Sequence, residues 1–169
     1  MSIKDFEQRV LEQQSVDAEH YNAEYFTGGW RSDGNNYSLE TRRKIEAKNP
    51  SLIKEVFQPN KVLDLGCGPG ALMHLLWELD VFCDGIDFSE SSKKLATLEV
   101  REKITVGQVT DLTLKPENSY DLVICREVLE HLTVLQVRQT VANIVRMTSR
   151  FAYVTTRFHP APSGLLDFT

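Results

Sequence analysis

From Lys61 onward the chain alternates between short β-branched runs and longer segments whose apolar residues return with helical period. That alternation is the pattern of a parallel sheet covered by helices. It predicts strands over 61–65, 82–86, 104–106, 120–125 and 151–155. Helices fit 71–78, 90–99 and 135–147, with a short helical turn over 127–131. Five strands joined by right-handed crossovers make a doubly wound, mainly parallel α/β sheet.

The first sixty residues differ in texture. Ile3, Phe6, Val10 and Leu11 share one helical face over 3–14. The stretch HYNAEYFTGGWRSDGNNYS that follows is polar, aromatic and rich in turn formers. Ser38 suits a helix cap, with LETRRKIEAK as the helix body ending at Asn49-Pro50, and a further short helix is expected over 51–57. The chain thus divides into an N-terminal helical cap, residues 1–58, and a core, residues 59–169.

Composition sets the remaining bounds. At 169 residues, 41% apolar and 25% charged, the chain fits one soluble domain, and the polar start with no long apolar run predicts a cytoplasmic location and no membrane partner. A net charge of −5 without a Lys/Arg run argues against nucleic acid and for small-molecule chemistry. Cys67, Cys83 and Cys125 lack CxxC spacing and read as buried thiols rather than a metal cluster.

The sharpest motif is VLDLGCGPG, Val62 to Gly70. A glycine-rich turn after the first strand lets backbone approach a ligand at the carboxyl end of a doubly wound sheet. On spacing alone the ligand stays open, because Gly66-x-Gly68-x-x-Ala71 with Asp87 further on also satisfies a dinucleotide-binding fingerprint.

Three ordered segments narrow the choice. DLGCGPG, GIDFSE and SYDLVICREVLEHL resemble the strand-end motifs of the class I S-adenosylmethionine-dependent methyltransferases over roughly residues 61–156. The resemblance implies a Rossmann-like fold and an enzyme that transfers a methyl group from S-adenosylmethionine to an oxygen or nitrogen of a small molecule, leaving S-adenosylhomocysteine. It assigns Asp64 and the turn Gly66, Cys67, Gly68 and Gly70 to the methionine end of the cofactor. Asp87 goes to the ribose hydroxyls, with a helix cap as its structural alternative. Phe88 flanks the adenine or packs in the core. Gln108 and Val109 stand where relatives carry an acid and a small residue beside adenine, with Asp111 as the other candidate. Cys125 and Arg126 border the methionine moiety.

Methyl transfer is a displacement at an activated carbon, so positioning supplies much of the rate and a base is optional. His131 is the first candidate base, because an unperturbed imidazole titrates near neutrality, with Glu130 and Glu127 beside it as the other candidate catalytic groups. Glu127-x-x-Glu130-His131 together with His159 also resembles the metal site of the Hen-type small-RNA 2′-O-methyltransferases; the missing basic surface argues against that reading, and no metal is assigned. His20 and His74 read as packing or surface residues. Relatives fold the residues before the glycine turn over the cofactor, which suggests Tyr21, Tyr25, Phe26, Trp30 and Tyr37 as a lid; Arg31, Arg42 and Arg43 would then favour an anionic acceptor. Family members add a sixth and seventh strand that this sequence does not supply, so a non-catalytic cofactor-binding module is the remaining alternative.

Overall fold

The alternating segments form five parallel strands in a computed structural model that describes residues 3–29, 34–113 and 116–156. They are β1 (Val62–Leu65), β2 (Cys83–Asp87), β3 (Ile104–Val106), β4 (Tyr120–Arg126) and β5 (Thr148–Thr155), in the spatial order β3-β2-β1-β4-β5. β1 pairs with β2 on one side and β4 on the other, so the order reverses there; Asp64 lies level with Gly85 and Ile124. This is the topological switch point at which such sheets bind ligands. Among the described residues β5 has no neighbour beyond β4.

Eight helices are described: α1 (Ile3–Glu12), α2 (Ala23–Thr27), α3 (Leu39–Glu46), α4 (Asn49–Phe57), α5 (Ala71–Trp77), α6 (Glu90–Leu95), α7 (Leu98–Arg101) and α8 (Val134–Met147). Single 3-10 turns occupy Ala18–Tyr21 and Leu129–His131. The period of two along each strand divides the core. Val62, Leu122 and Ile124 face Ile53, Met73, Leu76 and Val100, whereas Leu63, Leu65, Val123 and Cys125 face Ile144 and Met147 of α8. Every residue of β1 is buried, as expected for a central parallel strand covered on both faces.

The structure departs from the sequence expectation at four places. The helix expected over 90–99 breaks at Ala96 and Thr97, both extended. Arg101 satisfies carbonyls at the break, Nη2 donating to Ala96 O at 2.8 Å and to Lys94 O at 3.2 Å. Asn49-Pro50 opens α4 rather than closing α3, because proline near a helix start forgoes an N–H that would be unpaired anyway. β5 begins three residues early, at Thr148, directly after α8. Residues 18–27, expected as irregular, form two short helical turns. Ser38 caps α3 as expected, and α8 opens with a reciprocal cap: Gln136 N donates to Thr133 Oγ1 and Thr133 N to Gln136 Oε1. All three cysteines are free thiols; Cys83 and Cys125 are buried and Cys67 half-buried. No helix among the described residues is long and apolar enough to cross a membrane.

Candidate active site

The loop from β1 to α5 turns at Gly66 (φ +70°), Gly68 (+54°) and Gly70 (+72°), conformations that side chains resist. Two of these glycines serve different needs. A Cβ on Gly66 would sit 2.3 Å from Val128 Cγ2, so packing against the loop after β4 forbids it. A Cβ on Gly68 would meet nothing closer than the rings of Phe26 and Tyr37 at 3.7 Å, so its space opens toward a cavity. Gly66 N and Cys67 N both donate to Ile86 O, at 2.7 and 3.1 Å, which fixes the loop to the end of β2.

That cavity has a volume of about 360 Å³, within the size range of small-molecule sites. Its floor is the ends of β1, β2 and β4. Asp87 is 8% exposed; its Oδ2 accepts from Gly68 N at 2.8 Å and its Oδ1 from Ser89 N at 3.0 Å. The cap of α6 is Ser89, whose Oγ accepts from Ser91 N, so Asp87 is left to the loop and the cavity. Burial raises the Asp87 carboxyl above its ordinary value, opposed by the N–H groups of Ser89 and Gly68. Asp64, 4% exposed, is pushed by burial up to about 7; Arg126 opposes the rise while Glu46 and Asp87 add to it.

Most of the expected residues converge on this cavity. Asp64, Gly66, Cys67, Gly68, Asp87, Phe88, Gln108, Val109 and Arg126 line it; Gly70 and Cys125 lie behind it, in the turn and the core. Gln108 Oε1 accepts from Thr110 Oγ1 at 3.1 Å and keeps a second lone pair. Asp111 is exposed and outside the cavity, accepting from Thr113.

The three candidate catalytic groups separate. His131 lines the cavity with the edge of Tyr21 5.8 Å away, centroid to centroid. Glu127 lines it too, held at φ +55° with its N–H on Thr155 O and its carboxylate accepting from Thr155 Oγ1. Glu130 does not line it; its carboxylate accepts from Thr156 Oγ1 at 3.0 Å, and burial with Glu127 nearby raises it above the ordinary value. No group of three or more His, Cys, Asp or Glu among the described residues is arranged to hold a metal ion, and His159 lies outside them.

Over the cavity sit Tyr21, Tyr25, Phe26 and Tyr37, with Tyr25 and Tyr37 stacked at 5.6 Å; Trp30 and Arg31 lie outside the described residues. Ser89 Oγ donates to Tyr21 O and ties this strap to the loop that carries Asp87. Burial raises the Tyr21 hydroxyl to about 12, with Tyr37, Asp87 and Glu130 adding to the shift, so it stays protonated near neutrality. Arg42 lines the cavity, but Arg43 does not: it forms a two-pronged pair with Glu78 at 2.6 Å. His74 packs against Thr97, and His20 stands edge-on to Tyr21 outside the cavity. Glu46 was not legible as a site residue: it reads as a solvated position near a helix end, and only the i, i+4 spacing from Arg42 hints at its partner.

Residues 63–154, more than half of the chain, match the family described as a methyltransferase domain. The ubiquinone biosynthesis O-methyltransferase of Bordetella avium (strain 197N) is 35% identical over 101 residues, which cover 53% of this chain and 42% of that protein. The chain therefore spans less than half the length of this curated relative. A crystal structure of an S-adenosylmethionine-dependent methyltransferase from Archaeoglobus fulgidus superposes with a TM-score of 0.62 at 21% identity, over 77% of this chain and 56% of that one. The methyltransferase domain of bacterial CtHen1-C superposes with a TM-score of 0.52 at 26% identity, over 69% and 65%. With the glycine turn, the acid ending β2 and the match across β1 to β5 in agreement, the chain belongs to the class I S-adenosylmethionine-dependent methyltransferases.

Proposed function

We propose that residues 59–169 are the cofactor-binding core, and residues 1–58 the cap, of a cytoplasmic enzyme that methylates an oxygen or nitrogen of a small molecule and leaves S-adenosylhomocysteine. The observation that carries this reading is the engagement of Gly68 N by Asp87. In a dinucleotide site, N–H groups of the glycine turn face a diphosphate. Here one of them is taken by a carboxylate, and the acids that line the cavity, Asp17, Glu46, Asp64, Asp87 and Glu127, outnumber its two arginines, Arg42 and Arg126, a balance that suits a cationic nucleoside better than a diphosphate. Each Asp87 oxygen accepts one N–H and retains capacity for a ribose hydroxyl.

S-Adenosylmethionine supplies a methyl carbon made electrophilic by its sulfonium. The protein orients it through the glycine turn, Asp64 and Asp87, and the Tyr21, Tyr25, Phe26 and Tyr37 strap limits water above. We assign to His131, which lines the cavity beside the Tyr21 ring, the proton that the acceptor gives up.

Calorimetric titration of the full chain with S-adenosylhomocysteine and with NADH tests the cofactor: binding of the first alone is expected, and binding of NADH alone would sink the reading. In an acceptor screen His131→Ala should lower turnover while S-adenosylhomocysteine affinity holds. Loss of activity with a chelator would instead favour the metal-dependent route suggested by the Glu127, Glu130 and His131 element.

A further inference from the structure

Two guanidinium groups that line the cavity share one buried carboxylate. Glu46, at the end of α3 and 5% exposed, accepts from Arg42 Nη2 on Oε1 at 2.5 Å, and from Arg126 Nη1 and Asn49 Nδ2 on Oε2, both at 2.9 Å. Burial works against its ionisation, but Asn49, Arg126 and Arg42 together hold its carboxyl below the usual range. Two cations on one anion leave a net positive pole. Arg126 has donors to spare: its buried Nε has no partner, and the side chain keeps 21% of its surface accessible. The complementary pole is the neighbouring Asp64, whose carboxyl a cation beside it would hold ionised. Arg126 closes β4 and Asp64 lies in β1, adjacent strands about 4.8 Å apart.

We propose that Glu46 is a positioning residue: it keeps Arg126 from pairing with Asp64, so that Arg126, with Arg42 held on the same carboxylate, receives the α-carboxylate of the cofactor's amino-acid end while Asp64 receives its ammonium. This rests on the S-adenosylmethionine reading above. The carboxylate is the cofactor's rather than an acceptor's because the positive pole borders Asp64 on the next strand, as a zwitterion with both charges on one carbon requires. Without the Glu46 charge, Arg126 turns to the next carboxylate, Asp64, and both poles are cancelled together.

The test uses two ligands without any acceptor: S-adenosylhomocysteine, and 5′-methylthioadenosine, which keeps the nucleoside and thioether but lacks the amino-acid end. Calorimetry on the full chain should show Glu46→Gln and Arg126→Gln each weakening S-adenosylhomocysteine ten- to a hundredfold, the scale of a charge-assisted hydrogen bond. Both should leave 5′-methylthioadenosine within twofold, and the double variant should be no weaker than Arg126→Gln alone. Equal loss of both ligands, or unchanged or tighter S-adenosylhomocysteine binding, overturns the proposal. Should Glu46→Gln fail to fold, Glu46→Asp, which keeps the charge but shortens its reach to both guanidinium groups, carries the same comparison. Wild-type protein that binds neither ligand overturns the cofactor reading and this inference with it, whereas wild-type protein that binds both equally overturns this inference alone.

Discussion

Replacing Asp64 by Asn should stabilise the ligand-free protein, and the gain should grow with pH. Burial raises the Asp64 carboxyl from its ordinary 3.8 to about 7 in the folded chain. The folded state therefore holds a proton that the unfolded state releases between about pH 4 and 7, and by linkage stability falls as pH rises through that window. A difference of that size is worth about 4 kcal/mol when Asp64 is fully ionised. Between pH 5 and 8 the wild type should lose about 2.5 kcal/mol that Asp64→Asn does not lose. For a domain of this length that corresponds to a gap in Tm that widens by roughly 5–10 °C. Thermal melts of both proteins at pH 5, 6, 7 and 8 measure it, and the change with pH is independent of any fixed cost of the amide. A cationic group beside Asp64 should restore its ionisation, so S-adenosylhomocysteine binding at pH 6 should release a proton, read as a dependence of calorimetric enthalpy on buffer; Asp64→Asn should abolish that release. Melting curves that shift in parallel at every pH would refute the claim that burial governs this carboxyl.

The remaining expectations concern the loop and its anchor. Gly66→Ala should cost about 1–3 kcal/mol, because its Cβ would lie 2.3 Å from Val128 Cγ2 at a φ of +70°; adding Val128→Ala should recover the steric part, and an unchanged Tm in the single variant would contradict the packing. Asp87→Ala should weaken S-adenosylhomocysteine by about 1.5–3 kcal/mol, the scale for hydrogen bonds to a charged group. It should also loosen the turn, since Gly68 N and Ser89 N lose their acceptor. Faster hydrogen exchange at Gly68 would report that second effect, and unaltered affinity would remove Asp87 from the site.

What the sequence disclosed and what it concealed divide along a physical line. The sheet was legible because its central strands β1, β2 and β4 are short, mostly buried runs, and β1 to β4 begin and end within a residue of where the runs do; β5, which has no buried residue, is the strand whose start the sequence misplaced. The break at Ala96 was not legible, because ESSKKLATLE reads as one helix until Arg101 and the contact of His74 with Thr97 are seen from outside it. Residues 18–27 turn twice in segments too short to show a period.

The same line runs through the site. The glycines are readable because the left-handed backbone there admits few residue types, and Asp64 and Asp87 because they are acids within or ending mostly buried strands; both signals are local. Electrostatics are not local. Glu127 and Glu130 look equivalent in REVLEHL, yet the chain leaves β4 through a left-handed residue at Glu127, and the following turn delivers Glu130 to Thr156 instead of the cavity. Arg42 and Arg43 are adjacent in sequence, and their successive positions on α3 send one to Glu46 and the other to Glu78. Glu46 gains its importance only from Arg126, eighty residues away. A cavity of this kind is thus specified twice: by a glycine turn that any reader of the sequence can find, and by charges whose partners exist only after the sheet has formed. The second specification sets which end of a ligand lies over which strand, so substitutions that leave the motif intact, such as Glu46→Gln, should alter ligand choice more than fold.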